Sequence, residues 1–204
     1  MMSQQRNATR AEQVRVAPNA IGEQRILDAA YELLLAVGMR RLRMADIARR
    51  AGVSRATLYR RWPNVQAVIG ALTTRAVAAL THGALPAVGR TSRARLVGSV
   101  VGFVVAVRVH PLLRKIIDVD PEFLLPYLLE RRGTSTAAQL GLLEAALSEH
   151  DGSIRDGRPA VLARGIWLTA WPFALTAPVL ADAAVSIAEL DEQLRALLDR
   201  YLAP

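Results

Sequence analysis

The sequence predicts an all-α fold. Three observations carry that prediction. Apolar residues recur at three- and four-residue spacing in one segment after another. No stretch alternates with the period of two that a half-buried strand requires. The breaks between periodic segments place Ser, Thr, Asn, Asp, Gly and Pro where helices start and stop. Of 204 residues, 52% are apolar and 22% charged, the balance of a packed chain rather than a disordered one. Aromatics are 5%, so aliphatic side chains and Ala must fill the core. The absence of cysteine excludes disulfide staples, zinc–thiolate sites and cysteine nucleophiles.

The elements follow in order. Residues 1–19 are polar and aperiodic and are expected to form a disordered basic arm. After Pro18 and Asn19 a helix carries Ile26, Leu27, Ala30, Leu34 and Val37 on one stripe and stops at Gly38. A short helix over about 44–51 buries Ile47, Ala48 and Ala51, and Gly52-Val53 turns the chain. Ser54 caps a second short helix, about 55–61, and Pro63-Asn64 breaks it and caps a longer one through Val68, Leu72, Ala76 and Leu80. Thr91 or Ser92 starts a helix to about Val109, and Pro111 opens a segment to Ile117. Asp120-Pro121 is expected to cap another to about Arg132. Thr134–Glu149 and Pro159–Phe173 read as helices, with a turn at Asp151-Gly152 between them. Ser186 and Glu189 have the spacing of a capping box before the last helix. No internal repeat is present.

Charge divides the chain unevenly. Residues 1–65 hold twelve Arg against five acids, a net +7, and the other 139 residues carry only +1 of the total +8. An electropositive N-terminal module on a nearly neutral body suggests a polyanionic partner. The expected division is a 1–19 arm, a basic module over 20–65 and a nearly neutral body over 66–204. Residues 44–62, MADIARRAGVSRATLYRRW, supply the recognition element: two short helices on a Gly-containing turn, the second narrow enough for the major groove. Helical phase turns Leu58 and Trp62 inward with Val53. Arg55, Ala56, Thr57, Tyr59 and Arg60 then face outward with guanidinium, methyl, hydroxyl and phenol groups that suit base edges and phosphates.

The stretch Ile26 to Val68 resembles the DNA-binding domain of the tetracycline-repressor-like (TetR) family, through Asp46-Ile47-Ala48, Ala51-Gly52-Val53-Ser54 and Thr57-Leu58-Tyr59. The resemblance implies a homodimer that binds a palindromic double-stranded operator, with 20–65 as the DNA-binding domain and 66–204 as a ligand-binding and dimerisation domain that holds an effector pocket and the dimer interface. By position, Arg55, Ala56, Thr57 and Tyr59 would read bases. Arg43, the Met44 backbone N–H, Arg60 and Arg61 would contact phosphate. Two positions depart from the family: Val65 stands where a Lys is usual after the residue that starts the fourth helix, and Trp62 replaces the usual Phe before Pro63.

The body carries no signature of its own. Residues 96–107 are uncharged, with a GxxxG spacing at Gly98 and Gly102, but are too short to span a bilayer. The uncharged run 165–181 is interrupted by Pro172 and Pro178, so both read as core or interface helices and no membrane partner is expected. His82, His110 and His150 show no metal-ligand spacing, and no GxSxG, HExxH or P-loop pattern occurs. Neither an enzyme, a metal site nor a cofactor is therefore expected. Asp118, Asp120 and Glu122 form an acidic cluster, read as an Asp120 cap with Glu122 at the helix dipole. Phe103, Arg108, His110, Tyr127, Gln139, Trp167 and Trp171 are candidate contacts to a small apolar or aromatic effector. The stripe Ile187, Leu190, Leu194, Leu197, Leu198 and Tyr201 is the candidate dimer interface. The start of the chain has no apolar run of a secretory signal, so a cytoplasmic protein is expected. The leading reading is a ligand-responsive transcriptional repressor. The alternative is a helical small-molecule-binding protein with non-specific nucleic-acid affinity.

Overall fold

The computed structural model describes residues 18–85, 88–126 and 133–204, and among these every regular element is helical. Helix α1 spans Pro18–Val37, α2 Met44–Ala51, α3 Arg55–Arg61 and α4 Val65–Gly83. Then follow α5 Ser92–Val109, α6 Pro111–Val119, α7 Thr134–Ser148, α8 Pro159–Leu175, α9 Ala177–Leu180 and α10 Ile187–Leu202. Single 3₁₀ turns occupy Met39–Arg41 and Pro121–Phe123.

Local chemistry sets the boundaries. Side-chain oxygens of Ser54, Asn64, Thr91 and Ser186 accept the backbone N–H groups of Thr57, Ala67, Ala94 and Glu189, satisfying donors that the first helical turn leaves without partners. Glu189 reaches back to the Ser186 N–H at 2.8 Å and completes the capping box. Asp151 caps α5 from a distance, accepting Ser92 N–H at 2.9 Å while its other oxygen accepts Ser153 N–H at 3.1 Å. Helix α1 begins at Pro18, two residues inside the arm expected over 1–19, and residues 1–17 lie outside the described residues.

Two apolar cores organise the molecule. The N-terminal core joins Ile26, Leu27, Ala30 and Leu34 of α1 to Ile47, Ala48, Leu58, Trp62, Val68, Ile69 and Leu72. Leu58 is fully buried, and truncating it to Ala should cost about 2–5 kcal/mol. Val37, the last residue of the α1 stripe, lies past the packed turns and is exposed. The second core is built from α5, α8 and α10, with Val104, Ile166, Leu194 and Leu198 at its centre. Helix α6 belongs to both: Leu112 and Ile116 enter the N-terminal core, while Leu113 enters the other. Helix α4 divides in the same way between Ala76 and Val77.

Several expectations need correction. The helix expected from Asp120-Pro121 to Arg132 opens as a 3₁₀ turn at Pro121–Phe123, residues 125–126 are α-helical, and 127–132 lie outside the described residues. Asp120 caps nothing with its side chain. Its carboxylate is instead buried against the 3₁₀ turn after α1 and accepts the Met39 N–H at 3.1 Å. Glu122 lies in the first turn after Asp120, as expected, and also accepts from the Arg40 guanidinium at 2.9 Å, while Asp118 pairs with Arg114. Among the described residues no cluster of three potential metal ligands forms. No single described helix is long and apolar enough to cross a membrane, and the run 165–181 is divided between α8 and α9.

Candidate nucleic-acid interface

The geometry of α2 and α3 rests on the turn between them. Gly52 takes φ 64°, ψ 36°, the left-handed conformation that L side chains adopt at a cost, and its N–H closes α2. A Cβ there would also lie 2.9 Å from the Arg25 guanidinium, which donates to Ala51 O at 2.8 Å and pins the turn to α1. The Ser54 cap then starts α3, reinforced by a 2.8 Å hydrogen bond between the Ser54 and Thr57 hydroxyls.

With Leu58 at 0% and Trp62 at 7% exposure, the rotation of α3 is fixed. Arg55, Ala56, Tyr59 and Arg60 stand on its solvent side, with Tyr59 52% exposed. Arg43 precedes the first turn of α2, where no side chain caps the helix and the Met44 N–H lies among the unsatisfied donors, although the Met44 side chain is buried. Among the described residues Arg41, Arg43, Arg55 and Arg60 make no ion pair. Arg55 and Arg60 are thus uncommitted on the solvent side of α3, and Arg41 and Arg43 are uncommitted just before α2. Two of the expected contacts are already engaged. Arg61 pairs with Glu23 of α1 and lies 5.5 Å from the centroid of the Trp62 ring, and the Thr57 hydroxyl belongs to the cap.

The other arginines of this region hold it together. Arg50 bonds Glu32, Arg49 bonds Asp46, and Arg75 of α4 donates to Asp28 and Gln24 of α1 at 2.7 and 2.8 Å. Arg40 lies between Asp120 and Glu122. These acids raise its pKa, while hydrogen bonding holds the Glu122 carboxyl below the usual range. The partners are about eighty positions apart in sequence, and no local pattern announces such pairs.

The effector candidates separate. A cavity of about 600 Å³ opens between α1, α4, α6 and α8, and Trp167 and Trp171 line it with ring centroids 5.8 Å apart. Phe103 is not in the wall and packs edge-on against Trp171. Gln139 also stands behind the wall, accepting from Trp167 Nε1 at 3.3 Å and donating to Thr81. Arg108 faces away, bonded through both terminal nitrogens to Asp191 of α10, and so joins two body helices instead of meeting a ligand. His110 precedes α6 outside the wall, and burial lowers its pKa. Tyr127 lies outside the described residues. In the expected dimer stripe, Leu194 and Leu198 are 0% and 1% exposed within the chain's own core, so a second chain cannot reach them. Leu197 is half exposed, and Ile187, Leu190 and Tyr201 are partly so.

A two-helix motif with an exposed basic second helix defines a class of protein, the helix-turn-helix DNA-binding regulators. The comparisons agree. The family model for bacterial regulatory proteins of the tetR family matches residues 26–72. An uncharacterized HTH-type transcriptional regulator of Mycobacterium bovis is 33% identical over 180 residues, covering 87% of this chain and 93% of its own. Among solved structures, the R. erythropolis transcriptional repressor QsdR superposes with a TM-score of 0.67 at 22% identity, over 92% of this chain and 98% of its own. The repressor AlkX from Dietzia sp., implicated in n-alkane biodegradation, gives 0.66 at 22% identity over 88% and 94%. The chain belongs to the TetR family: it is a transcriptional regulator with a helix-turn-helix DNA-binding domain, and not an enzyme.

Proposed function

We propose that the protein is a cytoplasmic, ligand-responsive repressor that binds a palindromic operator as a homodimer. The observation that carries the reading is the solvent face of α3, where Arg55, Tyr59 and Arg60 stand opposite the buried Leu58 with no competing ion pair among the described residues. Arg43 and the first-turn N–H groups of α2 would add phosphate contacts beside it. One such module makes few base contacts, and two-fold pairing doubles them. Support for pairing comes from α8 and α10, whose outer surfaces leave Val161, Leu168 and Leu197 at least half exposed. Two copies of this helix pair would bury those residues in a four-helix interface. The names of QsdR and AlkX, both called repressors, support repression as the sign of regulation.

The effector would be a small apolar or aromatic molecule in the cavity beside Trp167 and Trp171. Because α4 and α6 border that cavity and also enter the N-terminal core, an occupant that moves either helix would shift the spacing of paired recognition helices. Selecting bound duplexes from a random pool with the purified protein tests the reading. The expected product is an inverted repeat bound by two protomers. Enrichment of no sequence, with a monomer in sedimentation at micromolar concentration, would contradict it.

A further inference from the structure

The walls of the large cavity restrict what it can hold. Leu27 of α1, Val77 of α4, Leu113 and Ile117 of α6, and Trp167 and Trp171 of α8 make it apolar and place it across the junction of the two cores. At about 30 Å³ per water in the liquid, a cavity of about 600 Å³ has room for about 20 non-hydrogen atoms. Two ionisable residues border it among the described residues, and both are already neutralised. Glu23 is paired with Arg61, and Arg75 is held by Asp28 and Gln24. Among the described residues a buried ion would find no free counter-charge there, and an unpaired charge in an apolar site is strongly disfavoured.

Among the described wall residues, one hydroxyl is both buried and without a partner. Thr74 and Thr81 of α4 donate to the carbonyls four residues back, Gly70 O at 2.9 Å and Val77 O at 2.8 Å. Thr73 lines the cavity, yet its Oγ1 is sealed from water and has no hydrogen-bond partner. Helical Thr populates two χ1 rotamers, so a turn about χ1 can bring this hydroxyl to an occupant of the cavity. A buried hydroxyl without a partner is the kind of group a ligand is needed to satisfy.

We propose that the cavity binds an uncharged, largely aliphatic or aromatic molecule bearing one hydroxyl or carbonyl, which pairs with Thr73 while its apolar part lies against the two tryptophans. This rests on the reading of the cavity as the effector site and narrows it to neutral ligands. Such an occupant touches α1 directly at Leu27, so it meets the DNA-binding core without an intermediary.

The test uses the full chain at pH 7.5 with three probes of equal chain length: 1-decanol, decanoate and decyltrimethylammonium. Binding is read by tryptophan fluorescence and calorimetry, and operator affinity is measured in the same samples. The expected result is saturable decanol binding at least tenfold tighter than either ion. Thr73→Val should weaken decanol about fivefold or more with no loss in thermal midpoint, since it removes an unpaired hydroxyl without changing shape. Decanoate or the ammonium binding as tightly as decanol overturns the proposal, as does decanol failing to saturate while operator binding is intact. That last outcome leaves the regulator standing. If decanol binds as expected but operator affinity stays constant, the ligand class holds and the regulatory reading falls. Unchanged decanol affinity in Thr73→Val overturns the pairing with Thr73.

Discussion

At the residue scale, α3 divides its side chains between an uncommitted solvent face, proposed to read bases, and side chains spent on construction. Arg60 is exposed and uncommitted, whereas Arg61, one position later, is turned back to Glu23 and Trp62. Arg60→Ala should therefore weaken operator binding by about 1–3 kcal/mol, and Tyr59→Ala should weaken it as well, both with little effect on thermal midpoint. Arg61→Ala should have the smaller effect on affinity. Filter binding or anisotropy on a selected operator checks all three, and equal losses at Arg60 and Arg61 would refute the division. Arg108 and Asp191 offer a second contrast, because both are largely buried in the body. Asp191→Ala leaves a buried guanidinium without its partner and should cost about 3–5 kcal/mol in denaturant unfolding. A double replacement of Arg108 and Asp191 by Met and Leu should recover most of that loss.

At the element scale, helix starts respond to pH in a direction fixed by the carboxylates that cap them. Hydrogen bonds from Ser153 and Ser92 hold the Asp151 carboxyl well below the usual range, and those from Ser186 lower that of Glu189. A carboxyl depressed in the folded state stabilises above its unfolded pKa and loses that contribution as pH falls toward its folded value. The stability advantage of the unmodified chain over Asp151→Asn should therefore be full at pH 7 and shrink below about pH 4. Thermal unfolding across pH 2.5–7 measures it, and an advantage that grew on acidification would refute the capping role. These starts were largely legible in the sequence, since a cap is a local pattern: Ser54, Asn64, Thr91 and Ser186 each stand next to the helix they begin. Asp120 shows where local reading fails. Asp-Pro has the form of a helix start, but the carboxylate serves Met39, which only the tertiary fold brings near. Two residues of the expected dimer stripe, Leu194 and Leu198, depart from expectation for a related reason. Periodicity shows that Leu194 and Leu198 are buried but not by what, and α5 and α8 of the same chain cover them. The solvent face of α3 was legible because phase from Leu58 and Trp62 fixes it within seven residues. Of the effector candidates, Trp167 and Trp171 reach the cavity wall while Phe103, Arg108, His110 and Gln139 do not, since a cavity wall is assembled from helices far apart in sequence.

At the scale of the whole molecule, two cores share α4 and α6, and Val161 and Leu168 of α8 and Leu197 of α10 are left exposed. Introducing charge at these residues should divide the proposed dimer without unfolding the protomer. A Leu168→Glu, Leu197→Glu protein should sediment as a monomer with a near-normal thermal midpoint, because both residues are at least half exposed in the single chain. The same change at Leu194 and Leu198 should unfold it. Monomers that still bind the operator as tightly as the unmodified protein would refute the paired-module account. The central claim is that the exposed face of α3 reads sequence rather than merely attracting phosphate. The most direct measurement is the ratio of affinities for the selected operator and for a scrambled duplex of equal length, at one fixed physiological salt concentration. The account predicts a ratio of about 10³ or more for the unmodified protein, falling in Arg60→Ala chiefly through the operator. A ratio near one, with both affinities falling equally as salt rises, would contradict it and leave a non-specific polyanion binder.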